Sequence, residues 1–133
     1  MNPVFLDTVG LIAIWDTDDQ WHSPANEAYH RLLRSSSPLL TTTYVLLECG
    51  NASARRPYRA RVNALRTALA ARSALIEPDS HDIESAWAAY DRGEAGTAGI
   101  VDHVSFQVMK RLGLTRAFTH NSHFRLEGFD TLF

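Results

Sequence analysis

Apolar and polar positions alternate along the chain in a way that predicts short strands, each followed by one or two helices. Pro3 to Asp7 carries an unbroken apolar run, Val4-Phe5-Leu6, which reads as a short buried strand ending in a carboxylate. Asp7 then caps a helix over Thr8–Trp15, with Leu11, Ile14 and Trp15 as its apolar side. After the loop at Asp16–Asp19, Ser23-Pro24 reads as the N-cap and first-turn proline of a helix reaching Arg34, with Ala25, Ala28, Tyr29, Leu32 and Leu33 on one face. Residues 38–42 form a second strand, and a helix begins near Thr43 and is weakened by Gly50; Pro57 ends it or starts the next one. An arginine-rich helix over residues 58–72 turns Val62, Leu65 and Leu69 to the core, and a third strand follows at 74–78. Asp79 or Ser80 opens a helix with Ile83, Ala86, Trp87 and Tyr90 on its apolar side. Residues 93–99 are a small-residue loop. The next helix, Ile100–Leu112, carries a stripe of Val101, Val104, Val108 and Leu112 and stops at Gly113. A brief strand at 117–119, a helical turn at 120–125 and an apolar end at Leu132-Phe133 complete the pattern. Strands alternating with helices predict an α/β fold with a parallel sheet covered on both faces.

Composition narrows the class. The 133 residues suit one domain spanning 1–133, and 45 % apolar residues suffice for a sizeable core. No apolar run approaches the roughly 20 residues of a membrane span. The N-terminus lacks a signal-peptide pattern, and the single Cys49 leaves no internal disulfide, so a reducing cytoplasm is expected. The net charge of −2 offers no overall nucleic-acid footprint. Its distribution does more: Asn51 to Ile76 contains no acid but six of the 13 cationic residues, Arg55, Arg56, Arg59, Arg61, Arg66 and Arg72. Such a segment suits either a local anionic partner or a solvated or dimer-facing helix.

Three acids fall at comparable places in this layout. Asp7 ends the first strand, Glu48 lies in the helix after the second, and Asp102 opens the helix leading to a later strand. Each has a plain alternative: Asp7 as a mere N-cap, Asp102 as a complement to a helix dipole, Glu48 as a solvated side chain. Glu48 nevertheless stands among Val45, Leu46, Leu47 and Cys49, and Asp102 between Val101 and Val104. Half-buried carboxylates of this kind are costly unless a cation compensates them, and hard oxygen ligands favour Mg²⁺ or Mn²⁺.

The segments VFLDTVGLIA, TTYVLLECGN, GIVDHVSFQVMKRLGL and AFTHNSHFRLEGF, in this order and spacing, resemble the PIN-domain nucleases, and most closely the VapC-type toxins of bacterial toxin–antitoxin pairs. The resemblance spans nearly the whole chain. It implies a three-layer α/β/α sandwich around a mostly parallel sheet of four to five short strands. It also implies a metal-dependent endoribonuclease, Mg²⁺ being the cofactor and Mn²⁺ a substitute, that leaves 5′-phosphate and 3′-hydroxyl ends. The implied partners are an RNA substrate, a cognate antitoxin chain and a second copy in a homodimer. Family metal ligands carry over to Asp7, Glu48 and Asp102. A fourth family acid, two residues before the His-Phe pair, is replaced here by Asn121, which brings an amide oxygen without charge and implies weaker metal affinity. Thr8 and Thr119 are candidate hydrogen-bond supports for the acids, and Arg55, Arg56 and Arg59 are candidate RNA contacts.

Three other readings compete. A catalytically weak or inactive PIN-like module, binding RNA or protein, follows if Asn121 marks lost catalysis. An aspartyl-phosphate phosphohydrolase would need a second Asp two residues beyond Asp7, where Val9 stands. A zinc site of His103, His120 and His123 has loose spacing and no cysteine beside it. His123 is expected to pack or cap near Phe124, Cys49 to be a small buried side chain, and Trp15, Trp21 and Trp87 to serve core or dimer packing.

Overall fold

Val4–Leu6 forms strand β1, and all three side chains are fully buried, as a strand covered on both faces requires. The computed structural model describes residues 2–133. Helices α1 (Thr8–Trp15) and α2 (His22–Arg34) follow, then β2 (Leu39–Thr42), α3 (Thr43–Ser53), α4 (Ala60–Ala71) and β3 (Leu75–Ile76). Helices α5 (Ser80–Asp91) and α6 (Ile100–Leu112), β4 (Arg116–Phe118), α7 (Ser122–Leu126) and β5 (Asp130–Thr131) complete the chain. The strands make one parallel sheet in the order β3-β2-β1-β4-β5, consistent with the expected α/β/α sandwich. The chain leaves β1 toward β2 and β3, then returns to the other side of β1 to lay down β4 and β5. The sheet therefore changes winding direction between β1 and β4. Beyond the carboxyl ends of the strands, such a switch point leaves a crevice.

Two local devices open that crevice onto functional side chains. Asp7 caps α1, its carboxylate accepting from the Val9 N–H at 3.4 Å, so the residue ending the strand also starts the helix. Gly10 lets α1 lie directly on β4. A Cβ there would meet the Phe118 carbonyl oxygen at 2.1 Å, so no other residue fits without moving helix or strand. Thr42 caps α3 in the same manner, accepting from the Val45 N–H at 3.1 Å.

Several expectations need correction. Helix α2 starts at His22 with Trp21 as its cap residue, not at Ser23-Pro24. Asp19 explains this, because its carboxylate and carbonyl take the Trp21 and His22 N–H groups and bring the chain into the helix early. Helix α3 runs through Gly50 and ends at Ser53, short of Pro57, and a turn region containing Pro57 delays α4 to Ala60. Leu33, Leu112, Trp87 and Tyr90 are exposed, not packed in the core. Trp21 also reaches solvent and stacks on His120, outside the buried core. The short β5, read only as an apolar end, pairs with β4 through Arg116–Asp130 and Ala117–Thr131. Among the described residues no helix is long and apolar enough to cross a membrane.

Candidate active site

The carboxyl ends of β1 and β4, with the helices that follow β2 and precede β4, bring the four expected site residues to one place. Asp7 is 1 % exposed. The Thr119 hydroxyl, just past β4, donates to its Oδ2 at 2.8 Å, and the Asp7 N–H reaches the Phe118 carbonyl across the switch point. Glu48 projects from the second turn of α3 and accepts a short hydrogen bond from the Thr8 hydroxyl in the first turn of α1. Asp102 lies in the first turn of α6, where Asn121 Nδ2 donates to its Oδ2 at 3.4 Å and His123 Nδ1 stands 3.6 Å away. Thr8 and Thr119 therefore hold two of the acids by direct hydrogen bonds.

Electrostatics couples these groups. Burial drives the Asp7 carboxyl up to about 7, and the negative charges of Asp102 and Glu48 push the same way against the Thr119 and Val9 hydrogen bonds. Glu48 is raised by burial and then by Asp102, with Thr8 opposing. Asp102 is raised by burial, with Asn121 and His123 opposing. Among the described residues neither lysine nor arginine pairs with any of the three acids; His123 is the nearest cationic candidate. Three carboxylates near enough to raise one another, with no lysine or arginine beside them, offer hard oxygen donors that suit a divalent cation. The side chains are not closed into a ready cage, for among the described residues no cluster of three His, Cys, Asp or Glu is drawn together. Glu48 is instead turned onto Thr8, and Asp7 onto Thr119.

Asn121 plays a part its sequence position did not reveal. It caps α7, its amide oxygen accepting the His123 N–H at 3.0 Å, while its own backbone N–H donates to the Thr119 hydroxyl oxygen at 3.0 Å. The amide oxygen is thus occupied, and the NH₂ group faces Asp102. His123, expected to pack or cap near Phe124, has its ring between Asp102 and the Thr97 hydroxyl, which lies 3.2 Å from Nε2. Its place two residues after the cap of a helix was the one available signal.

The remaining candidates lie apart. Arg55, Arg56 and Arg59 are exposed on and after the turn that joins α3 to α4; Arg59 donates to the Ala54 carbonyl and lines an apolar groove of about 660 Å³ between α3 and α4. Among the described residues none of the three contacts the acids through a hydrogen bond or ion pair. The three histidines do not assemble: His103 is buried against Tyr90 and Phe106, and His120 stacks on Trp21. Cys49 is buried, and its thiol is pushed up to about 12, which leaves it unreactive.

Comparison with known proteins agrees with this geometry. A family model described as "PIN domain" matches residues 4–127. Among solved structures, the chain is similar to VapC20 of Mycobacterium tuberculosis, described as a sarcin-ricin loop cleaving toxin. The two share 26 % identity over 95 % of each chain, with a TM-score of 0.77. The fold also matches DNA-bound VapBC from Salmonella typhimurium, at 16 % identity over 98 % and 97 % of the two chains with a TM-score of 0.67. FitAcB from Neisseria gonorrhoeae matches at 13 % identity over 98 % and 96 %, with a TM-score of 0.64. No curated protein matches by sequence.

Proposed function

The chain belongs to the PIN domain family, and from that membership we propose that it is a divalent-metal-dependent endoribonuclease acting as the toxin of a toxin–antitoxin pair. The observation that carries the reading is the convergence of Asp7, Glu48 and Asp102 at the switch point, each with its carboxyl raised by burial. Likeness to a toxin that cleaves the sarcin-ricin loop supports RNA as the substrate. Asp7, Glu48 and Asp102 would hold the cation; Asn121, expected as a fourth ligand, instead has its amide oxygen on the His123 N–H and turns its NH₂ group to Asp102. Held there, Mg²⁺ or Mn²⁺ would supply the positive charge needed to polarise a phosphodiester oxygen and to lower the pKa of water. The protein supplies position. Thr119 fixes the Asp7 carboxylate, Thr8 fixes Glu48, and the Asn121 amide orients Asp102. A carboxylate oxygen not engaged by these hydrogen bonds would orient the attacking water or accept its proton. The antitoxin and a second copy of the chain are the proposed protein partners, and Arg55, Arg56 and Arg59 the proposed contacts to the RNA backbone.

The test is cleavage of a mixed RNA pool by purified, antitoxin-free protein in Mg²⁺, in Mn²⁺ and in chelator. Cutting that requires metal and is lost in Asp7→Asn, Glu48→Gln and Asp102→Asn, each still folded, is the expected result. Full activity in any of the three sinks the assignment. A second reading, a binding module that does not cut, draws on the Asn121 amide, whose oxygen is occupied by the His123 N–H. A working site gains melting temperature from Mn²⁺ by mass action, and an inert one does not.

A further inference from the structure

Beside the acids lies a smaller crevice of about 390 Å³, lined by Thr8, Ile12, Asp19, Gln20, Trp21 and His120. It shares Thr8 with the site already described. Thr8 both lines it and donates to Glu48, and His120 sits between Thr119, which holds Asp7, and Asn121, which holds Asp102. Whatever occupies it lies next to a group bound at the acids.

The crevice has a flat aromatic wall. The Trp21 indole stacks on the His120 imidazole with centroids 4.2 Å apart and planes within 15°. Phe133 backs both rings, at 6.5 Å from Trp21 and 5.6 Å from His120. Yet Trp21 remains 36 % exposed, so a large indole is held rigid without being consumed by the core. Unpaired bases of RNA stack on such rings whatever their sequence. The polar lining adds a preference. Asp19 Oδ1 accepts the Trp21 backbone N–H at 2.8 Å, which ties the carboxylate to the residue carrying the indole and leaves its second oxygen as an acceptor only. Guanine is the one common base whose Watson–Crick edge presents two adjacent donors, N1–H and N2–H₂.

We propose that Trp21 and His120 form a stacking seat for an unpaired guanine next to the scissile phosphate, read by the Asp19 carboxylate. This rests on the ribonuclease reading above, and names a base that the substrate must present there. Trp21 and Asp19 are specificity residues in this account; neither belongs to the acid centre.

The experiment measures binding of fluorescently labelled single-stranded hexauridine, unmodified or with one central guanine, adenine or cytosine, by anisotropy. The full-length Asp7→Asn protein is used, so that no cutting intervenes. Guanine should bind tightest. Trp21→Leu should weaken it roughly 5- to 100-fold, while Trp21→Phe, which keeps a ring, restores most of the loss. Asp19→Asn keeps an oxygen for the Trp21 N–H but presents an NH₂ group instead of the second acceptor, and should abolish the preference for guanine. Equal affinity for the four oligonucleotides overturns the guanine assignment. Unchanged affinity in folded Trp21→Leu overturns the seat. The RNA-pool assay separates these failures from a failure of the reading beneath: metal-dependent cutting by wild-type protein leaves the nuclease standing when the seat falls, and its absence removes both.

Discussion

Asp7 carries two duties that conflict without a cation: it caps α1 and it buries a carboxylate beside two others. Its folded pKa of about 7 lies above the ordinary carboxylate value of about 4. Between those two values the native state holds a proton that the unfolded chain has released. Stability of the metal-free protein therefore falls as pH rises from about 4 to 7. Asp7→Asn should remove that part of the slope and raise stability near pH 8 by about 2–4 kcal/mol, as read by thermal melts in chelator at pH 5 and pH 8. Glu48 and Asp102, raised in the same direction, keep a residual slope in the variant. Gly10 makes the opposite kind of demand, for space. Gly10→Ala should cost more than about 2 kcal/mol and lower activity as well, because relief of the clash must move α1 or β4 and with them Asp7 or Thr119. A denaturant melt and a cleavage assay on the same preparation check both effects.

At the scale of elements, α5 and α6 are tied by a buried charge. Asp82, 2 % exposed, closes a capping box with Asp79 and accepts a forked pair from Arg111, the shorter bond being 2.7 Å. The Arg111 guanidinium holds the Asp82 carboxyl below its usual range, so the stabilisation is present at neutral pH and is lost as pH falls through the acid range. Asp82→Asn should cost about 1–3 kcal/mol by chemical denaturation at pH 7 while leaving metal binding intact, since α6 keeps its Gly99 start. Helices α1 and α6 were legible to the residue, because Asp7 and Gly113 are unambiguous start and stop signals. Elsewhere neighbours overrode the local signal. Asp19 pulled the start of α2 back from Ser23-Pro24. A pairing of two residues, such as β5, carries no periodicity to read.

At the scale of the molecule, the sheet order decides the site. Alternating strands and helices made a parallel sheet legible, and the resemblance named the acids, but periodicity does not encode that β4 returns to the far side of β1. That return puts Thr119 on Asp7 and Asn121 on Asp102, more than a hundred residues after β1 begins. The direction in which the Asn121 amide turns, the approach of His123 to Asp102 and the Trp21–His120 stack depend on those long-range contacts, and no single segment contains them. The central claim is that the acids gathered at this switch point constitute a cation centre. Calorimetric titration of Mn²⁺ into the full-length protein at pH 8, repeated with Asp7→Asn, Glu48→Gln and Asp102→Asn, tests it most directly. The account predicts saturable binding to the wild type that each substitution weakens at least roughly tenfold, a loss of about 1.4 kcal/mol or more, with the fold retained by circular dichroism. Undiminished Mn²⁺ binding in the three folded variants would place the cation elsewhere and contradict it.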